Sequence, residues 1–242
     1  MEENGIIALV SGANRGIGLA IATGLARRRG VRVLVGCRQL ERGRKVSEQF
    51  SSQGAQLRPV ELDVTSAESV SSLAALIEEE YGRLDILVNN AGIGLDYQPD
   101  LSVVERMQRT LDVNVVGALR LTEAMVPLLS KSSSPRVVNI SSELSSFAMR
   151  TDPAWVYANM HMPTYQASKA ALNSLTLSYA SLLKDKGIKV NSVCPGYTAT
   201  EATNFAGTRT PDMAARIAIN FAMLDSEGPS GVFISEEREL SW

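Results

Sequence analysis

The chain has 242 residues, of which 45% are hydrophobic and 21% charged, so its composition excludes a disordered tail protein, a collagen-like repeat and a coiled coil. Its 24 basic and 26 acidic side chains give a formal charge of −2, which argues against a nucleic-acid partner or an anionic membrane surface. No apolar run reaches the roughly 18 residues that cross a bilayer, and two cysteines suit a reducing compartment. We therefore expect a cytoplasmic protein with no membrane or nucleic-acid partner.

Short, continuous apolar runs alternate with longer amphipathic stretches along most of the chain. The runs are typical of parallel strands covered on both faces and lie at 6–10, 31–35, 57–64, 84–88, 137–140, 190–193 and 232–234. The stretches long enough for helices include 17–28, 41–52, 67–81 and 103–129. This alternation predicts a parallel sheet with helices on both faces. Because no repeat or linker interrupts it, we expect a single domain over 1–242.

A glycine-rich turn, residues 11–18, connects the first predicted strand to the first predicted helix. Gly12, Gly16 and Gly18 permit a tight turn, so that backbone N–H groups and the helix N-terminus can face a pyrophosphate. The alternative is a turn whose glycines serve only strand–helix packing. The position directly after the first buried strand favours a dinucleotide site.

The glycine spacing, G-x-x-x-G-x-G, resembles that of the short-chain dehydrogenase/reductase family, and the resemblance covers nearly the whole chain. Further motifs follow in the family's order: Asp63-Val64, Asn89-Asn90-Ala91-Gly92, Asn114, Val138-Asn139-Ile140-Ser141-Ser142, Tyr165-x-x-x-Lys169 and Pro195-Gly196-Tyr197-Thr198-Ala199-Thr200. The resemblance implies a Rossmann-type, doubly wound α/β fold. We expect seven mainly parallel strands in the order 3-2-1-4-5-6-7.

The end of the second strand bears on the choice of nicotinamide cofactor. An acidic residue there would bind the ribose 2′-hydroxyl of NAD, whereas an arginine pairs with the 2′-phosphate of NADP. Positions 36–38 hold no acid, and Arg38 and Arg15 can each offer a guanidinium fork to a phosphate. The prediction is NADP(H), with use of both cofactors left open. By resemblance, the cofactor contacts are Gly12, Asn14, Arg15, Gly16, Ile17, Gly18, Arg38, Asp63, Val64, Asn90, Ala91, Gly92, Tyr165, Lys169, Pro195, Gly196, Thr198 and Thr200.

Tyr165 and Lys169 are four residues apart, so on a helix they share one face. A phenol is a weak acid at neutral pH, and a nearby ammonium is expected to lower its pKa toward the working range. The resemblance implies that Tyr165 protonates the substrate oxygen, and that Lys169 holds the nicotinamide ribose and tunes Tyr165. It also implies that Ser142 binds the substrate oxygen and that Asn114 positions a water. Three other serines are alternatives to Ser142: Ser141, Ser145 and Ser146.

Two segments depart from the commonest family pattern or surround the site. Ser142 and Tyr165 are 23 positions apart, which indicates an insertion at about 147–163. It resembles the insertion of the carbonyl reductase branch, and we expect either a pocket wall that also shields an interface or a surface elaboration. A lid is expected at about 199–215, where Phe205 either lines the pocket or packs the lid down. The charged C-terminus lacks the double glycine typical of several other branches.

The remaining candidate groups are few. His161, the single histidine, lies in the insertion and is expected on the surface or in the pocket lining rather than in catalysis. No metal site is predicted, and Cys37 and Cys194 are expected to be packed, inert thiols.

The function predicted is hydride transfer from NADPH to the carbonyl of an aldehyde or ketone. The alternatives are an NADP-dependent alcohol dehydrogenase working oxidatively and a non-catalytic NADP(H)-binding sensor. The partner expected is a small-molecule carbonyl compound, and monomer or homo-oligomer is left open.

Overall fold

The protein is built on one seven-stranded sheet, seen in a computed structural model that describes residues 5–51 and 55–242. The strand order is β3-β2-β1-β4-β5-β6-β7, and the named strands all pair in parallel. The predicted strand order is therefore confirmed. The strands are β1 (Ile6–Ser11), β2 (Val31–Cys37), β3 (Leu57–Glu61), β4 (Ile86–Asn89), β5 (Arg136–Ile140), β6 (Lys189–Val193) and β7 (Phe233–Ile234).

Helices cover both faces of this sheet. They are α1 (Gly16–Ala26), α2 (Leu40–Ser51), α3 (Ala67–Tyr81), α4 (Val103–Leu111), α5 (Ala118–Leu129), α6 (Phe147–Arg150), α7 (Pro163–Leu182) and α8 (Pro211–Ala222). Successive residues of β1 point to opposite faces, so Ala8 and Val10 enter one buried cluster while Ile7 and Leu9 enter the other. This two-sided burial explains why the strands read as continuous apolar runs.

The strand order places a switch point between β1 and β4. The chain builds β1, β2 and β3 in one direction and then returns to form β4 on the other side of β1. In open parallel sheets, ligands bind in the crevice outside the carboxyl ends of the strands at such a point. We call the crevice beyond the ends of β1 and β4 the cleft.

Some predicted boundaries differ from the observed ones. The helix predicted over 103–129 is one helical run, but a π-helical turn, Asp112–Gly117, separates α4 from α5. The strand predicted over 57–64 ends at Glu61, because its partner β2 ends at Cys37. Residue 52, the predicted end of the second helix, lies outside the described residues.

Within the part of the chain that the structure describes, no helix combines the length and apolar character needed to span a membrane.

Candidate active site

The glycine turn is too tight for side chains at its key positions. Gly12 and Gly16 have φ of +63° and +54°, a backbone region that L side chains rarely adopt. A Cβ on Gly18 would lie 2.3 Å from Nδ2 of Asn90 and 2.5 Å from the carbonyl oxygen of Gly12. The first turn of α1 has no side-chain cap and no acidic residue. The turn therefore leaves a helix N-terminus without a protein anion, which fits the pyrophosphate of a dinucleotide.

A short hydrogen-bond network fixes the glycine turn to the end of β4. The Ser11 hydroxyl accepts from the backbone N–H groups of Asn90 and Ala91, each at 3.0 Å. The side chain of Asn90 donates to the carbonyl oxygens of Ser11 and Gly12 at 2.9 and 3.2 Å. Asn90 and Ala91 thus form one wall of the cleft, beside the glycine turn.

The residues predicted for the adenosine end of the cofactor lie around the ends of β2 and β3. Arg38 is exposed directly after β2. Burial alone would raise the pKa of Asp63, but hydrogen bonds from Thr65 and the charges of Arg38 and Arg120 hold that pKa below its usual value. Arg38 and Asp63 are thus electrostatic neighbours.

Arg15 has a partner that the sequence did not indicate. Its guanidinium pairs with the carboxylate of Glu201, at the start of the lid segment, and both side chains are 61% exposed. Thr200, the adjacent residue, would lie 3.5 Å from a Cβ on Gly16. The lid segment therefore begins directly over the glycine turn.

Tyr165 and Lys169 occupy the first two turns of α7. Pro163 is the first residue of this helix, a position where the missing N–H costs nothing. A Cβ on Gly94 would lie 3.4 Å from the Tyr165 ring, and one on Gly92 would lie 3.4 Å from Lys169 Nζ. The loop after β4 thus brings the glycine turn, Tyr165 and Lys169 to one continuous site.

Ser142 is the serine that faces Tyr165, and its hydroxyl helps to lower the pKa of that phenol. The three alternative serines have other partners. Ser141 donates to Asn173 at 2.7 Å, Ser145 accepts from Asn173 at 2.8 Å, and Ser146 caps α6 by accepting from Met149. Because these hydroxyls support local structure, the geometry singles out Ser142.

Asn114 lies in the π-helical turn and is buried. Its Oδ1 accepts from the backbone N–H of Ile93 at 2.8 Å, and its Nδ2 donates to the Ile93 carbonyl and to Ser168 Oγ at 2.8 and 3.0 Å. Both amide hydrogens are in use, so only Oδ1 retains a lone pair for another donor. The side chain therefore fixes the loop after β4 to α7.

The structure contradicts the expectation that Lys169 lowers the pKa of Tyr165 toward neutrality. Burial, reinforced by Cys194, raises the pKa of the phenol to about 12, and the Ser142 hydroxyl opposes this shift. Lys169 Nζ lies 5.7 Å from the Tyr165 ring centroid and donates to the carbonyl oxygen of Ile140 at 2.8 Å. Burial lowers the pKa of Lys169 itself to about 8. The ammonium is directed to the backbone rather than to the phenol oxygen.

The loop after β6 closes the cleft opposite β4. It begins with Pro195-Gly196, and Gly196 has a φ of +76°. Thr198 is buried and donates to the Gly196 carbonyl at 2.9 Å, while Thr200 caps the helical turn Glu201–Thr203. These contacts hold the predicted nicotinamide-binding stretch in a defined shape.

A cavity of about 330 Å³ lies between the loop after β6, the insertion and the C-terminal segment 235–240. Trp155 and Tyr157 from the insertion line it together with Tyr197 and Glu143. Burial raises the pKa of the Glu143 carboxyl, an effect opposed by a hydrogen bond from the Trp155 side chain. The insertion therefore contributes a wall to a pocket, one of the two expectations for it.

Phe205 and His161 take no part in this cavity. Phe205 is 67% exposed, with a φ of 60°, so it neither lines the pocket nor packs the lid segment down. His161 is exposed. The buried thiols of Cys37 and Cys194 have raised pKa values, as expected of packed cysteines. No cluster of His, Cys, Asp or Glu that could hold a metal ion occurs among residues 5–51 and 55–242.

Comparison with known proteins identifies the family. The short chain dehydrogenase family model matches residues 6–210. The chain belongs to the short-chain dehydrogenase/reductase family. Members of this family are oxidoreductases, and the chain is similar over its whole length to several reductases.

Two curated relatives and one solved structure illustrate the likeness. The (-)-isopiperitenone reductase of Mentha piperita is 29% identical over 100% of this chain and 99% of its own. Human carbonyl reductase [NADPH] 1 is 29% identical, with 98% of each chain covered. The structure of NADPH-bound carbonyl reductase from chicken fatty liver superimposes with a TM-score of 0.85 at 27% identity, with 98% of each chain covered.

Three residues of the site were not predicted from the sequence. They are Asp96, which contacts the start of α7, Glu143 in the cavity and Glu201 beside Arg15. One signal was available for Asp96: Met162, before Pro163, has no side chain that could cap α7, so the capping group had to come from elsewhere. No local pattern marks Glu143 or Glu201.

Proposed function

We propose that this short-chain dehydrogenase/reductase is an NADPH-dependent carbonyl reductase that converts an aldehyde or ketone to an alcohol. One observation carries the proposal: the loop Gly92–Gly94 brings Tyr165 and Lys169 against the glycine turn, while Ser142 faces the phenol. A proton donor and an oxygen-binding hydroxyl thus adjoin a dinucleotide-type cleft. NADPH, when bound, supplies the hydride.

In this proposal the chain's own residues bind the substrate oxygen and protonate it. The Ser142 hydroxyl donates to the carbonyl oxygen and stabilises the charge that develops there. Tyr165 gives its proton to the same oxygen. Because burial raises its pKa to about 12, the phenol stays protonated throughout the neutral range and is ready to act as an acid.

Lys169 is proposed to hold the nicotinamide ribose. Its ammonium is buried beside Gly92, within hydrogen-bonding distance of the Ile140 carbonyl, and it carries two further N–H donors for ribose hydroxyls. Thr198 and Thr200 are proposed to meet the carboxamide. These contacts would decide which face of the ring meets the substrate.

The preference for NADPH is proposed from the charges at the adenosine end. Arg38 follows β2 where an acid would favour NAD, and Arg15 projects from the glycine turn. Two relatives and neighbours carry NADPH in their names. A 2′-phosphate between these guanidinium groups would form charge-assisted hydrogen bonds that NAD lacks.

Tyr165→Phe tests the proposal, with Tyr97→Phe as the matched control because Tyr97 is 72% exposed and outside the site. NADPH consumption is followed over a panel of aldehydes and ketones, and NADPH affinity by fluorescence. We expect Tyr165→Phe to lose at least 100-fold in kcat, in the range of general acid catalysis, with affinity nearly unchanged.

Retained turnover in Tyr165→Phe would refute the assignment of the acid. NADPH binding by the unmodified protein without consumption of any carbonyl compound would favour the sensor. Turnover only of alcohols with NADP would favour the oxidative enzyme.

A further inference from the structure

We propose that the cavity selects carbonyl compounds that carry a protonated nitrogen, which is received by Glu143 together with the aromatic side chains of Trp155, Tyr157 and Tyr197. This inference rests on the proposed function and names the class of substrate. The four residues are referred to below as the aromatic–carboxylate group.

The aromatic–carboxylate group lies next to the reacting groups. Glu143 directly follows Ser142, and its backbone N–H donates to Cys194 Sγ at 3.2 Å. Cys194 lines the cavity and is also an electrostatic neighbour of Tyr165. A substrate whose oxygen meets Ser142 and Tyr165 can therefore extend its other end into the cavity. A volume of about 330 Å³ accommodates a small organic molecule.

The three aromatic rings are packed edge to face. Trp155 and Tyr157 have ring centroids 5.5 Å apart at an interplanar angle of 88°. Tyr157 and Tyr197 are 6.3 Å apart at 67°. Such contacts use an edge of one ring and one face of the next, so other ring faces are left for a ligand. The electron-rich faces of Trp and Tyr attract cations, and desolvation in a pocket strengthens that attraction.

The charges that line the cavity also favour a cation. Glu143, Glu236 and Glu237 face two bases, Arg209 and Arg238, which leaves one negative charge in excess. Arg209 is neutralised by its ion pair with Glu236. Arg238 and Glu237 both act on Glu143 electrostatically, with opposite sign.

Glu143 has room for a further hydrogen-bond donor. In the described part of the chain, no ion pair within 4 Å reaches its carboxylate, and its hydrogen-bonding side chain is Trp155. A carboxylate has about four lone-pair sites, so the indole N–H leaves most of them available. A protonated amine supplies both a donor and a positive charge at this point. A neutral, purely apolar substituent would leave the half-buried carboxylate without a partner.

The test uses the whole protein and matched ketones. Phenyl ketones whose alkyl arm ends in a dimethylamino group are compared, at pH 7, with isosteric ketones whose arm ends in isopropyl, over three arm lengths. The readout is the ratio of kcat/KM for the amine over that for the isopropyl compound. We expect a ratio of at least 10 in the unmodified protein at the best arm length, and a ratio near 1 in Glu143→Gln. Glu239→Gln, an exposed acid outside the cavity, should keep the original ratio.

Because the readout is a ratio, a general loss of activity in Glu143→Gln does not affect it. If that variant does not fold, competition in the unmodified protein decides: phenyltrimethylammonium should inhibit reduction of the isopropyl ketone, and neutral tert-butylbenzene should inhibit at least 10-fold less. A ratio of 1 or below in the unmodified protein, an unchanged ratio in Glu143→Gln, or equal inhibition by both compounds would overturn the inference. Turnover of the isopropyl ketones in those cases would leave the proposed function intact, whereas no turnover of any ketone would count against that function.

Discussion

The buried carboxylate of Asp96 accepts a hydrogen bond from the backbone N–H of Tyr165 at 3.1 Å. Its other oxygen accepts from Thr164 N–H at 2.9 Å, so a residue of the loop after β4 caps α7. Met162, at the usual capping position, offers no side-chain hydrogen bond. Arg106 of α4 donates to the Asp96 carbonyl at 2.5 Å and fixes this loop in turn. Asp96 therefore holds the main chain of the proposed acid in place.

Asp96→Asn is expected to lower kcat about tenfold while NADPH affinity and KM change by less than threefold. An amide offers one good acceptor where the carboxylate offers two, so one N–H group at the start of α7 loses its partner and Tyr165 shifts. Loss of a cap typically costs ~0.5–2 kcal/mol of stability. Kinetics and chemical denaturation measure the two effects. Asp100→Asn, an exposed change in the same loop, should alter neither, and an equal loss of kcat there would contradict the role of Asp96.

The pH dependence of reduction is expected to follow Lys169 rather than Tyr165. The pKa of Lys169 is lowered to about 8, whereas that of Tyr165 is raised to about 12. We expect kcat/KM to be level up to about pH 8 and to fall above it, as the ammonium that holds the ribose is lost. In Lys169→Arg the residual activity should show no such fall up to pH 10, because a guanidinium stays charged. An unchanged falling limb in that variant would assign it to another group.

Burial of Lys169 also has a consequence for stability. Its folded-state pKa of about 8 lies below its ordinary value of 10.5, so between these limits the unfolded chain binds the extra proton. The free energy of unfolding, relative to that of Lys169→Met, should therefore rise with pH from about 8 to 10.5. Urea denaturation at several pH values measures the difference. A decrease over this window would mean that burial does not penalise the charged form.

Glu201→Gln is expected to raise NADPH affinity two- to fivefold and to leave NADH affinity unchanged. The carboxylate of Glu201 competes with a 2′-phosphate for the guanidinium of Arg15. The gain is small because exposed ion pairs are worth ~0–1 kcal/mol. Glu78→Gln, which removes an equally exposed ion pair with Lys131 outside the cleft, is the control. Weaker NADPH binding in Glu201→Gln would show that the two anions do not compete.

Gly18→Ala is expected to weaken NADPH binding more than tenfold and to cost ~1–3 kcal/mol of stability, as overpacking usually does. The new Cβ would lie 2.5 Å from the backbone oxygen of Gly12, which cannot move without opening the turn. Gly24→Ala is the control in the same helix, because its Cβ meets only the end of the Ile219 side chain. Titration calorimetry and thermal unfolding compare the two variants. Equal losses of affinity would mean that the turn is not the binding element.

The parts of this protein that follow local rules could be predicted from its sequence. Two-sided burial produced the apolar runs of the strands, and the Tyr165–Lys169 spacing placed both side chains on one face of a helix. The pKa of Tyr165 could not be predicted in the same way. It depends on burial and on the Ile140 carbonyl that accepts from Lys169, and both arise only when β5 and α7 pack together.

Contacts between distant segments explain the other omissions. Asp96 meets α7 across 69 positions of sequence, and Glu201 meets Arg15 across 186. Neither residue type is unusual where it stands, so no pattern distinguishes them from solvated surface acids. The strand order, by contrast, followed from the family resemblance and was confirmed.

The π-helical turn Asp112–Gly117 makes the count of residues in this stretch as important as their identity. It adds to the run between α4 and α5 a residue that a regular helix would not accommodate in the same register. Deleting one residue there would restore regular winding and rotate α5 by about 100° relative to α4. Asn114 would leave Ile93, and the apolar side of α5 would leave the sheet. Libraries intended to vary this helix should therefore exchange side chains freely while avoiding insertions and deletions.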